Sequence, residues 1–187
     1  MYSHAWYHDQ WFYPVQGSWN NSLWNYQWNP HLYSWQYSHW HPFYDGIALR
    51  DYGPNPFVVN IDQAAKQNTN YRTALWTGKH FQVTVMSIPV GDDIGLEVHP
   101  ETDQFIRIEE GQGLVQMGDR KDRLDFEKMA YADYAIMIPA GKWHNVTNTG
   151  NTPLKVYVIY APPHHPYGTV HETKADAMSA EESHRSQ

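Results

Sequence analysis

Glu97 and His99 stand two residues apart, and on a β-strand that spacing sends both side chains off the same face, where they can grip one ion. Gln104 lies five residues beyond His99, a step that would throw it to the opposite face of an unbroken strand. Pro100 follows His99 directly and cannot donate to a strand ladder, so the alternation can reset, with the strand resuming near Asp103. His144 arrives from a second hairpin, after the turn Pro139-Ala140-Gly141. One carboxylate, two imidazoles and an amide oxygen form a mixed oxygen and nitrogen set suited to Mn, Fe, Co, Ni or Zn, with no thiolate to favour softer ions. Glu97, His99, Gln104 and His144 are therefore the expected ligands of one divalent metal ion. The alternative is a metal-free, hydrogen-bonded polar cluster inside the fold, which would be costly to desolvate.

Two motifs carry these residues: Gly91-x5-Glu97-x-His99-x4-Gln104-x6-Gly111 and Pro139-x-Gly141-x2-His144-x3-Asn148. The pair resembles the cupin superfamily, whose first motif reads G-x5-H-x-H-x3,4-E-x6-G and whose second reads G-x5-P-x-G-x2-H-x3-N. The spacing agrees throughout, over roughly residues 70 to 162, and three identities depart. Glu97 stands where the family's first metal histidine would be, Gln104 where its glutamate would be, and Asp133 where the second motif's opening glycine would be. The first two departures compensate in charge, because each ligand set carries one carboxylate, so a divalent ion keeps the same formal balance. The closing segment from Ala161 through Asp176 is also similar to that of small bacterial cupins labelled mannose-6-phosphate-isomerase-like. That label describes a barrel and leaves the reaction open.

The resemblance implies an all-β cupin jelly-roll barrel. Four protein ligands on a six-coordinate ion leave two neighbouring positions for a substrate with adjacent oxygens, or one if Glu97 binds through both oxygens. An ion of fixed valence would act as a Lewis acid, polarising a carbonyl during isomerisation or elimination on a sugar-like or keto/hydroxy-acid substrate. Gln104 favours this reading, since some cupins with a glutamine at that position are isomerases and lyases. The alternatives are a metal-dependent dioxygenase and a non-catalytic barrel that binds a small molecule or builds an assembled layer. Strand alternation marks many inward residues and singles out none as a catalytic acid or base.

The rest of the chain must position these groups. Thr73–Thr77 and His80–Ile88 read as two strands joined at Gly78, followed by the first motif, Leu114–Met117, a charged turn at residues 119–123, Tyr134–Ile138, the second motif and Leu154–Tyr160. Many short strands between Gly and Pro turns indicate a barrel or jelly roll. Ile61–Lys66 reads as a helical turn or two, and the strands are expected to stop after Ala161, with Thr173 to Gln187 a polar, charged tail that is frayed or briefly helical. His164-His165, set among prolines, reads as an exit loop, with a lid over the barrel mouth as the second reading.

Residues 1–45 form an aromatic arm, 46–70 a connector, 71–165 the barrel and 166–187 the tail. The arm holds seven of the nine tryptophans, and before Asp45 its only charged residue is Asp9. Disordered tails are aromatic-poor and charged, so this segment is of another kind. Packing on the barrel or on a neighbouring subunit is its first reading, assembly into a layer such as a spore coat its second, and stacking on sugar rings its third. A homo-oligomer, a dimer or higher through the arm, is expected. With no cysteine, disulfides, Fe–S clusters and thiol nucleophiles are excluded. A formal charge of −7 without a basic stripe argues against nucleic acid. No stretch is long and apolar enough for a membrane span, and the start lacks the basic and apolar pattern of a secretory signal, so a cytoplasmic protein is expected.

Overall fold

From residue 72 onward short runs between turns fold as antiparallel strands, with buried and less buried residues alternating most regularly in Gln112–Gly118 and Trp143–Asn148. The computed structural model describes residues 46–185, so the expected aromatic arm lies outside the described residues. The strands are β1 (Arg72–Thr77), β2 (Gln82–Ile88), β3 (Asp103–Glu110), β4 (Gln112–Gly118), β5 (Phe126–Tyr131), β6 (Ala135–Ile138), β7 (Trp143–Asn148), β8 (Leu154–Ala161) and β9 (Val170–His171). Helices α1 (Ile61–Gln67) and α2 (Lys174–Arg185) flank them. One sheet has the order β6-β3-β8-β2-β1-β9 and the other β5-β4-β7. Their inner faces meet in one core, to which Ile106, Val156 and Val158 contribute from the first sheet and Val115, Ala130 and Val146 from the second. This is the all-β jelly roll expected from the sequence.

The register of the larger sheet aligns the polar interior. Gln82 pairs with Tyr160, Tyr160 with Gln104, and Gln104 with Ile138, forming one rung across β2, β8, β3 and β6. Strand β3 starts at Asp103, where the alternation was expected to reset, and Gln104, Ile106 and Ile108 are its buried, inward residues. On the opposite face of β1 and β2, Leu75 and Val85 pack with Ala64 and Ala65 of α1. Asn60 caps that helix, its Oδ1 accepting from the Gln63 amide at 3.1 Å.

Several expectations need correction. Glu97 and His99 do not lie in a regular strand: residues 89–102 form an irregular segment touching β7 through isolated bridges, Asp93 to Thr147 and Glu97 to His144. Between the two bridges three residues, 94–96, lie opposite two, 145 and 146, so this segment bulges, with Gly95 at φ +86°. The charged turn leads into a further strand, β5, whose side chains are almost all exposed and which therefore lacks an apolar rhythm. Nor do the strands stop after Ala161. Val170 and His171 pair with Thr73 and Arg72 as β9, and the polar tail becomes α2, with Ala177 buried in the main core. Thr173 and Asp176 cap α2 reciprocally, Asp176 Oδ2 accepting from the Thr173 amide at 2.9 Å. Lys174 then reaches Asp92 at 2.8 Å and Asp93 at 2.6 Å, which fastens α2 to the segment that carries Glu97. Among the described residues, no helix is long and apolar enough to cross a membrane.

Two motif positions serve the fold rather than the site. Asn148 is buried, and its Nδ2 donates toward the carbonyls of Ile88, Pro89 and Thr152, closing the barrel end where three segments meet. Asp133, standing where the resemblance places a glycine, has φ 71°, the one positive value at a non-glycine among the described residues. Aspartate tolerates this region better than most residues. Its ion pair to Arg107 at 2.6 Å is exposed, so it contributes little. Asp133→Gly is therefore expected to leave the melting free energy within about 0.5 kcal/mol of the parent, whereas Asp133→Val should cost about 1–2 kcal/mol. Denaturant melts of the two variants check this, and equal losses would place the constraint in the Arg107 pair instead.

Candidate metal centre

The bulged segment and β7 bring three of the four expected ligands to one point. Paired backbone hydrogen bonds, Glu97 N to His144 O at 3.1 Å and His144 N to Glu97 O at 2.9 Å, set the two residues side by side. The Gly141 amide donates to the His99 carbonyl at 2.8 Å, so the turn before β7 also fixes His99. Gly141 makes that turn at φ +80°. One ligand atom from each of Glu97, His99 and His144 lies within 4.8 Å of the others. The Nε2 atoms of both imidazoles sit 3.3 Å from Glu97 Oε1.

None of these three atoms is hydrogen-bonded, and all three are shut off from solvent. His144 Nδ1 lies 2.9 Å from the Lys142 carbonyl, which assigns the ring proton to Nδ1 and turns the bare Nε2 lone pair toward Glu97. A lone pair facing a carboxylate oxygen in a dry interior is repulsive unless a cation lies between them. The donor set thus fits a metal ion, and a Glu/His/His group able to hold one is present.

Gln104 is placed on the inward face of β3 as the cross-strand partner of Tyr160, whose ring centroid lies 5.8 Å from that of His99. Its Oε1 is buried without a partner. The residue that sequence spacing alone would have turned outward therefore faces the same interior as the other three.

Sequence reasoning underweighted the wall of the site. His164 folds back so that its ring centroid is 4.1 Å from that of His99, and His165 packs edge-on to Tyr160 at 4.9 Å. The Pro-rich exit thus lies over the barrel mouth, with Gln82 gripping the His165 backbone at both its N–H and its carbonyl. Burial, helped by His99, pushes His164 down to about 4, and burial with Arg72 pushes His165 down to about 2, so both rings are neutral. A cavity of about 740 Å³ opens between Glu97, His99, this exit segment, His171 and the Ala180–Glu181 turn of α2. Arg72, wholly buried on β1, was not singled out from sequence at all.

With this geometry in view, the comparisons with known proteins fall into place. Residues 84–160, which include all four expected ligands, match the cupin domain family. The chain belongs to the cupin superfamily. It is similar to the uncharacterized protein YrkC of Bacillus subtilis, 68% identical over 136 residues, covering 73% of this chain and 73% of the relative. It is also similar to the uncharacterized protein L612 of Acanthamoeba polyphaga mimivirus, 39% identical over 115 residues, covering 61% of this chain and 70% of that protein. Among solved structures, BH2720 from Bacillus halodurans is 67% identical with a TM-score of 0.69, over 70% of this chain and 98% of that one.

The unpartnered oxygen of Gln104 gives a test of the site's internal balance. Deleting a buried acceptor that has no partner removes a desolvation penalty and breaks no bond. In the presence of a chelator, Gln104→Met is expected to melt no lower than the parent by differential scanning calorimetry. A fall of several degrees would show that the amide holds the site together through the protein itself.

Proposed function

We propose that the chain is a metal-dependent enzyme in which Glu97, His99, Gln104 and His144 hold one divalent ion, acting on a small sugar-like or keto/hydroxy-acid molecule by isomerisation or elimination. The observation that carries this reading is the meeting of Glu97 Oε1 with two imidazole Nε2 atoms at 3.3 Å, buried and without hydrogen bonds. When bound, the ion supplies Lewis acidity, drawing electrons from an oxygen of the substrate. The protein's own part is placement and exclusion. The Lys142 carbonyl orients His144 so that Nε2 is free to ligate. Glu97 brings the single negative charge of the set, the role a glutamate plays at the other corner in the family pattern. His164, neutral and lying against His99, narrows the open side of the centre and keeps bulk water from it. Tyr160, pushed up to about 12 by burial although the Arg72 charge pulls it down, stays protonated and offers a hydroxyl with no partner of its own toward the interior.

Metal content is the direct test. The full chain has twelve histidines, several of them before residue 46, so metal should be measured on a version beginning at residue 46 as well. That version is expected to retain about one divalent ion and to lose thermal stability on chelation, since binding to the folded state alone stabilises it. The His99→Ala/His144→Ala double variant should carry none by elemental analysis. Unchanged metal content in that variant would contradict the assignment.

The exchange of charge between corners makes a separate prediction. Glu97→Gln leaves a neutral donor set and should weaken metal binding by about 100-fold, beyond the effect of Gln104→Ala, which removes one neutral donor. Glu97→His combined with Gln104→Glu restores the family arrangement and should recover most of the affinity in a competition titration. A double variant no better than its worse parent would mean that the two corners do not exchange roles.

A further inference from the structure

We propose that Arg72 anchors a carboxylate group of the ligand that enters the cavity beside the metal centre, which makes that ligand a small carboxylate, and that Glu181 of α2 competes for the same guanidinium. Arg72 is 1% exposed, on the inward face of β1, and its Nε and Nη1 atoms are buried with no hydrogen-bond partner. Its cross-strand neighbour His171 and the Glu181 carboxylate, 3.9 Å from Nη1, both line the cavity, so the guanidinium sits behind that wall. At 3.9 Å the Glu181 contact is an ion pair without a hydrogen bond, and the Glu181 side chain is 38% exposed. The guanidinium carbon also lies 5.6 Å from the Tyr71 ring centroid, and Tyr160 and Glu97 act on the same charge, yet Nε and Nη1 are left without the hydrogen bonds that a buried cation needs.

The charge balance of the interior points the same way. Arg72 contributes +1 and Glu97 −1, and a divalent ion at the centre would add +2, leaving a net +2 that Glu181 offsets only from the rim. An anion entering the cavity relieves this excess. Planar carboxylates match the parallel donors of a guanidinium, and the acidic side chain nearest Arg72 on α2, Glu181, is itself a carboxylate held too far away to use that match. His165 Nε2 and His171 Nδ1 add two more buried polar atoms without partners on the cavity wall. Within the class proposed above, these features favour the keto- or hydroxy-acid over a neutral sugar. The net positive charge and simultaneous contact of the ligand with the metal rest on the metal reading, whereas the unpartnered Nε and Nη1 donors of Arg72 do not.

The test is calorimetric titration of the metal-loaded full chain with malonate, with malonamide as the uncharged control and inorganic phosphate as the competing anion. Arg72→Met keeps the bulk of the side chain, and replacing an unpaired buried charge by an apolar group is not expected to unfold the barrel. It should weaken malonate by at least about tenfold and leave malonamide unaffected. Glu181→Gln, a change at the half-exposed rim, should tighten malonate by about threefold or more by removing the competitor. Malonate affinity unchanged in folded Arg72→Met, or unchanged in Glu181→Gln, would overturn the proposal, as would phosphate binding more tightly than malonate. Elemental analysis of the same samples separates the two readings. Arg72-dependent malonate binding in a protein without metal would uphold the anion site and refute the metal centre; Arg72-independent binding in a loaded protein would do the reverse.

Discussion

The structure turns on one unfavourable encounter, a carboxylate oxygen faced by two imidazole nitrogens, with all three atoms shut off from solvent. Glu97 Oε1 lies 3.3 Å from Nε2 of His99 and of His144, and none of the three atoms has a hydrogen-bond partner. Left alone, such a group would rotate apart or recruit partners, because buried polar atoms without hydrogen bonds are expensive. The backbone prevents this. Glu97 and His144 are tied by reciprocal amide-to-carbonyl bonds, and the Lys142 carbonyl holds the His144 ring in one tautomer. Local geometry is fixed by the fold, and Glu97, His99 and His144 are left with ligand atoms within 4.8 Å of one another, a group able to hold a cation.

Around that centre the molecule is built to maintain polarity in a small interior. The rung Gln82–Tyr160–Gln104 places polar side chains at one end of the larger sheet, while Ile88, Leu154 and Ile108 close the other end with apolar packing. The exit segment supplies neutral His164 and His165 as a wall, and α2 crosses the remaining side, capped by Thr173 and Asp176 and fastened by Lys174 to Asp92 and Asp93. The same aspartates begin the segment that leads to Glu97. The helix that borders the cavity and the loop that carries the carboxylate are thus mechanically joined.

Much of this was legible in the chain. Motif spacing located Glu97, His99 and His144, and Pro100 correctly signalled that Gln104 could return to the inner face. What escaped were elements whose signal is not apolar periodicity. Strand β5 exposes nearly every side chain, β9 is two residues long, and α2 buries Ala177 alone among its described residues. The capping pair Thr173-x2-Asp176 was a local signal for the start of α2 that went unread in the sequence. Arg72 could not be found this way, since an arginine in an alternating strand reads as an outward residue. Only the tertiary fold shows that β1 turns it inward. The regular strand expected around Glu97 and His99 proved to be a bulged segment, which reaches the same convergence through its bridges to β7.

The most direct measurement of the central claim is anomalous diffraction from crystals of protein purified without a histidine tag, recorded on both sides of the absorption edge of the metal found by elemental analysis. The account predicts a single strong peak among Glu97, His99, Gln104 and His144, about 2.0–2.3 Å from the Glu97 oxygen and the two imidazole nitrogens. An ordered water in that position, with the metal signal elsewhere or missing, would contradict it.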